Sequence, residues 1–284
     1  MTRKPRRAAR KLPSVAVALG GGGARGLAHI VMLEALDEMG ITPAAIAGTS
    51  IGAIIGAAYA AGLKAEELRA HVLSTFRNRA KVFSRLFEAR IGRFADLFAR
   101  GNPMLVDGER LLDQFWPKEV PDSFEELAIP FTAVATDYYG CAEVALSSGA
   151  LVSAVAASMA LPGLVKPVDI EGRLLIDGGA VNPLPCDIIA GKADILVAID
   201  VAGAPSAEEA RAPDAFSTLL AAAQIMQRAI VSTKTAANPP DLLLRPEVQS
   251  FGVLDFFKAR RIFEAAVPAK ERLKQELASK IAKF

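Results

Sequence analysis

Twice near its start the chain passes from a short apolar run through a glycine-flanked turn straight into a helical run. Residues 14–19 lead into Gly21-Gly22-Gly23-Ala24-Arg25-Gly26 and then a helix over 27–36; residues 43–47 lead into Gly48-Thr49-Ser50-Ile51-Gly52 and then a helix over 51–61. Further apolar strand segments at 130–136, 141–146, 173–176, 194–200 and 241–244 alternate with helical stretches. Strands that alternate with helices favour a mainly parallel sheet sandwiched between them. The expected fold class is therefore α/β: a single-domain three-layer sandwich with a mainly parallel central sheet. A chain of 284 residues can bury one large core, and 52% hydrophobic content with only 6% aromatic assigns its filling to Ala, Val, Leu and Ile.

The second turn has the G-x-S-x-G form of a nucleophile elbow, in which small flanking residues let the chain reverse sharply and hold a hydroxyl clear of the backbone. Ser50 would then stand at a helix N-terminus, where unpaired N–H groups and the helix dipole favour developing negative charge. The glycine run admits three functional readings. A Walker loop fails, since no Gly-Lys-Ser/Thr follows. A dinucleotide fingerprint matches at Gly21, Gly23 and Gly26, but residues 41–65 contain no Asp or Glu to meet a ribose. The third is an oxyanion cradle in which the Gly22, Gly23 and Ala24 N–H groups face a carbonyl oxygen as it becomes negative, at ~3 kcal/mol per donor.

A serine nucleophile needs a base. The chain has two histidines, His29 in the helix after the glycine run and His71 in the next helical stretch, and a lone helical histidine is more often packed or solvated than catalytic. The other candidate is Asp177, where the apolar strand 174–176 ends in Asp177-Gly178-Gly179. With an ordinary pKa of about 3.9 it would need to touch the serine hydroxyl and be partly desolvated to act as a base. Asp-Gly also marks a plain hairpin or loop, and the residues alone leave both readings open. Ser158 and Asp200 also end or interrupt apolar stretches, but neither sits in a glycine-flanked turn.

Gly-Gly-Gly-Ala-Arg-Gly at 21–26, Gly-Thr-Ser-Ile-Gly at 48–52 and Asp-Gly-Gly at 177–179, in that order, resemble the motifs of the patatin-like phospholipases, in particular compact bacterial members. Ala157-Ser158-Met159-Ala160-Leu161-Pro162 is similar to the family's Ala-Ser-x-x-x-Pro segment. The resemblance spans about residues 14–200. It implies a Ser-Asp dyad of Ser50 and Asp177, an oxyanion hole drawn from Gly21, Gly22, Gly23, Ala24, Arg25 and Gly26 with Arg25 helping to hold the loop, an elbow of Gly48, Thr49, Ile51 and Gly52, and a dyad loop with Gly178 and Gly179. It also implies ester hydrolysis through an acyl-enzyme, with a lipid or acyl ester as substrate and with neither metal nor organic cofactor.

The charge is unevenly spread. Residues 1–11 carry six cations, no acid and no apolar core; without an apolar core the stretch is not expected to be a secretory signal peptide, and it predicts a disordered basic arm over 1–13. Residues 76–100 place Phe76, Phe83, Phe87, Phe94 and Phe98 at helical spacing among arginines. Such a face packs on the core or rests on an anionic membrane, and a lid over the site would do both. No specific nucleic acid is expected; peripheral contact with an anionic membrane through 1–11 and 76–100 is. With no apolar run long enough to cross a bilayer, the expected location is the cytoplasm, extending to the inner membrane surface. Cys141 and Cys186 are too few for a disulfide framework and lack metal-ligand spacing. Residues 14–200 are read as the core, and 201–284 as a helical continuation of the same domain containing a loop at 205–214 and a helix over 255–284 interrupted near Pro268. Two function classes follow: a lipid acyl hydrolase, with thioesterase or acyltransferase variants, and a catalytically weak, membrane-associated binding or regulatory protein on the same fold.

Overall fold

The Val-Ala-Val-Ala-Leu alternation of β1, Val15–Leu19, sends Val15, Val17 and Leu19 to one face of the sheet and Ala16 and Ala18 to the other, and all five are buried. The structure, a computed structural model, describes residues 12–78, 82, 106–203 and 215–284. From β1 the chain runs through a 3-10 turn (Gly23–Leu27) into α1 (Ala28–Glu38), then β2 (Ala45–Thr49), α2 (Ile51–Ala60), α3 (Ala65–Thr75), α4 (Gly108–Phe115), β3 (Phe131–Asp137), β4 (Ala142–Leu146), α5 (Leu151–Ser158), β5 (Val168–Ile170), β6 (Arg173–Asp177), β7 (Ile195–Ile199), α6 (Ala215–Ala237), β8 (Leu242–Leu244) and α7 (Ala259–Ile281).

Among the described residues these strands form one eight-stranded sheet in the order β5-β6-β3-β2-β1-β7-β8, with β4 also paired to β3. β8, β7, β1, β2 and β3 are mutually parallel. β4 and β6 run antiparallel to β3, and β5 antiparallel to β6. The face carrying Val15, Val17, Leu19 and Ile46 packs against α1, α2 and α7, where Leu33, Leu36, Ile262 and Phe263 fill the main core. The opposite face presents Ala16, Ala18, Ala45, Ala47 and Ala198, small enough to be covered by Leu184, Cys186, Ile189 and Val231 of α6. The expected α/β sandwich with a mainly parallel sheet is what the chain forms.

Two expected boundaries move. β2 continues to Thr49, so strand gives way to helix across Ser50 alone. α7 runs unbroken through Pro268. That proline faces solvent, so the carbonyl its missing N–H leaves unpaired can meet water, while Ile262, Phe263, Ala266, Ala269, Leu273 and Leu277 hold the helix on the core. Residues 1–11 of the basic arm, the loop 205–214 and nearly all of the Phe-rich stretch 76–100 lie outside the described residues. At the start of that stretch the Phe76 ring stacks on Phe115 and Phe256, with centroids 6.1 and 5.4 Å away. No helix among the described residues is long and apolar enough to cross a membrane.

Candidate active site

The sheet register brings Ser50 and Asp177 together. Ala133 and Val134 pair with both β2 and β4, and Ala135, Thr136 and Asp137 pair with both β4 and β6. A strand has two edges, so β2 and β6 must share the edge of β3 that β4 does not occupy. β2 runs along that edge until Thr49 meets Val134, and β6 arrives from the opposite direction until Asp177 meets Ala135. The two strand ends thus converge on adjacent residues of β3.

Ser50 caps α2 with φ 57° and ψ −123°, a left-handed conformation that costs a non-glycine residue ~1–3 kcal/mol. The turn is held from both sides. The Ser50 N–H donates to Ser158 Oγ at 3.0 Å, and the Ser158 hydroxyl donates to the Val134 carbonyl at 2.6 Å. Gly52 lets α2 start against β1, since a Cβ there would collide with the Leu19 carbonyl.

So oriented, the Ser50 hydroxyl donates to Asp177 Oδ2 at 2.6 Å. The other oxygen, Oδ1, accepts the Gly179 N–H at 2.7 Å, and Asp177 is only 5% exposed. Burial pushes its pKa up to about 6, against the opposing pull of the Ser50 and Gly179 hydrogen bonds. The carboxylate is thereby a far better proton acceptor than an exposed aspartate.

The glycine run lies beside the serine at Gly21, where an added Cβ would meet the Ser50 Cβ at 3.4 Å. Gly23 takes φ +60°, which turns the loop into its 3-10 segment. Of the expected donors, the Gly21 N–H is spent on the Pro183 carbonyl at 2.9 Å and that of Ala24 on the Val253 carbonyl at 2.7 Å. This corrects the expected donor set: those two amides serve to anchor the loop, while Gly22 and Gly23 carry N–H groups with no acceptor among the described residues. Arg25, 3% exposed, donates through Nε to the Gly22 carbonyl at 3.2 Å and through Nη1 to the Phe251 carbonyl at 3.4 Å. Burial lowers its pKa.

The rival residues are engaged elsewhere. His29 is fully buried with Nε2 on the Gly20 carbonyl at 2.7 Å, and burial drops its pKa to about 4, so it stays neutral. His71 Nε2 bonds the Phe115 carbonyl at 2.7 Å. Asp200 pairs with Arg245 at 2.9 Å, and Ser158 supports the elbow. Sequence reasoning missed that supporting role, although the Ala-Ser-x-x-x-Pro segment had drawn attention to Ser158. It also missed Asn182, whose backbone carbonyl accepts the Thr49 hydroxyl at 2.8 Å. Among the described residues no cluster of three or more His, Cys, Asp or Glu could hold a metal. A hydroxyl on a buried carboxylate is an arrangement able to attack a carbonyl, and the unengaged Gly22 and Gly23 N–H groups, one and two residues beyond Gly21, are the candidates to hold the resulting negative oxygen.

Comparison with known proteins gives a match of residues 17–190 to the family model of the patatin-like phospholipases. An uncharacterised NTE family protein of Mycobacterium tuberculosis is 41% identical over 194 residues, which cover 67% of this chain and 50% of that protein. The patatin-like phospholipase domain-containing protein 7 of Rattus norvegicus is 31% identical over 279 residues, covering 88% of this chain and 20% of the relative. The chain therefore spans half or less of these relatives. Among solved structures, VipD from Legionella pneumophila superposes with a TM-score of 0.49 at 14% identity, covering 97% of this chain and 72% of that one.

Proposed function

The chain belongs to the patatin-like phospholipase family, and from that premise we propose that it is a serine acyl hydrolase that cleaves carboxylic esters of lipids, phospholipid or lysophospholipid among them, through Ser50 and Asp177. The observation that carries this reading is the 2.6 Å hydrogen bond from the Ser50 hydroxyl to a buried carboxylate whose pKa is raised to about 6. As Ser50 Oγ forms a bond to the ester carbonyl carbon, its proton passes to Asp177 Oδ2. The carbonyl oxygen becomes negative and is met by the Gly22 and Gly23 N–H groups and by the positive end of α2. Collapse breaks the bond to the alcohol oxygen, which takes the proton from Asp177 and leaves an acyl-enzyme on Ser50. Water then attacks that ester, giving one proton to Asp177. Ser50 recovers the proton as the fatty acid departs.

Intact-mass spectrometry after exposure to a fluorophosphonate ester tests the assignment. One adduct is expected on the wild type and none on Ser50→Ala. A folded wild type that takes no adduct would replace the hydrolase reading with that of a binding or regulatory protein. If the adduct forms, release of fatty acid from phospholipid, lysophospholipid and acyl-thioester substrates distinguishes the variants of the chemistry.

A further inference from the structure

Behind the Ser50–Asp177 pair lies a polar cluster that the reaction itself does not use. Asn182 is fully buried, and its backbone engages both halves of the pair. Its carbonyl accepts the hydroxyl of Thr49, the residue directly before Ser50, at 2.8 Å. Its N–H donates to the carbonyl of Gly178, the residue directly after Asp177, at 2.8 Å. The side-chain Nδ2 donates to Glu143 and, at 2.8 Å, to Asp187. Both carboxylates are joined in turn by Lys234 Nζ of α6, at 3.2 and 2.8 Å. Two turns earlier on the same helix, Gln227 lies against Gly179, whose N–H holds Asp177 Oδ1.

We propose that Asn182 is a positioning residue whose backbone sets the separation of Ser50 and Asp177, and that Lys234, by neutralising the carboxylates that grip its side chain, makes this setting depend on where α6 sits. The proposal rests on the hydrolase reading of the pair. Asn182 suits the task by its donors: two N–H groups meet two carboxylates, while Oδ1 is left buried without a partner, an arrangement that space-filling alone does not call for. An aspartate there would set a third carboxylate against Glu143 and Asp187, and an alanine would leave both without their buried donor. Without Lys234 the two acids repel each other across the amide they share.

The experiment measures the rate at which Ser50 is phosphonylated by a fluorophosphonate ester, from pH 5 to 9, in the wild type and in Asn182→Ala, Lys234→Met and Lys234→Arg. Amide hydrogen exchange of the peptide spanning 177–182 is followed in parallel. Because a misplacement near 1 Å costs on the order of 100-fold, Asn182→Ala is expected to slow labelling ~10- to 100-fold and to displace the midpoint of its pH profile. Lys234→Met, at a helix position about a third exposed and outside the hydrophobic core clusters, is expected to slow labelling ~5-fold, with Lys234→Arg restoring it. Exchange over 177–182 should quicken in Asn182→Ala and Lys234→Met. Labelling within ~2-fold of wild type at every pH, or unchanged exchange in a folded Lys234→Met, overturns the proposal. A wild type that is never labelled overturns the hydrolase reading instead, and the exchange rates then decide the positioning claim by themselves.

Discussion

At Asp177 stability and proposed activity pull in opposite directions. The folded carboxyl has its pKa raised by burial to about 6, whereas an exposed aspartate in the unfolded chain titrates near ~3.9. Between those values the folded state keeps a proton that the unfolded state has released, so stability is fully present below about 4 and falls as pH rises towards 6, by ~3 kcal/mol in all. Asparagine cannot ionise, yet it can still accept the Gly179 N–H. Asp177→Asn is therefore expected to unfold at a higher temperature than the wild type at pH 8 and at nearly the same temperature at pH 4, while its ester hydrolysis falls to background. Thermal unfolding at the two pH values checks the first statement. The second has a counterpart in the wild type, whose kcat/KM should rise with pH through about 6 and then level off, because the base must be unprotonated. A profile flat from pH 5 to 8 would remove Asp177 from the role.

At the scale of elements, the strand–elbow–helix unit depends on how closely α2 can approach β1. A Cβ at Gly52 meets the Leu19 carbonyl, a backbone atom that cannot swing aside, so Gly52→Ala is expected to cost ~3 kcal/mol and to be seen as a lower denaturation midpoint. An unchanged midpoint would mean that the helix can shift freely, and the elbow with it. This part of the molecule was legible in the sequence because its cues are local: apolar runs mark β1, β2, β3, β6 and β7, and glycines mark the turns between strand and helix. α5 and the short β5 were not singled out. Leu151–Ser158 is nearly uniformly apolar, so it offers no helical stripe to read, and Val168–Ile170 is too short to alternate. The convergence of β2 and β6 on β3 was beyond reach for another reason: register is a relation between distant segments. Donor selection in the glycine loop was illegible for the same reason, since the acceptors that use the Gly21 and Ala24 amides belong to Pro183 and Val253.

For the molecule as a whole, the main core joins residues on either side of position 200. α7 packs along α1, its Lys274 pairing with Glu38 at 2.8 Å, while the Phe263 ring is buried beneath the Arg69 guanidinium 4.5 Å from its centroid. Phe263→Ala is accordingly expected to lose ~4 kcal/mol. In urea, the fluorescence of Trp116, the chain's one tryptophan, and the helical circular dichroism of this variant should change together. Two separated transitions would mean that residues 201–284 fold independently of the rest.

The fastening of the glycine loop by Val253 and Phe251 has a bearing on synthesis. Residues 21–26 leave the ribosome well before the carbonyls that anchor them, and at ~5–20 residues per second the intervening chain takes on the order of 10–50 s to add. Through that interval a nascent polypeptide carries Ser50 with a loop still lacking two of its acceptors. The complete fastening of the glycine loop then arrives late in translation, a delay set by the order in which the parts are made.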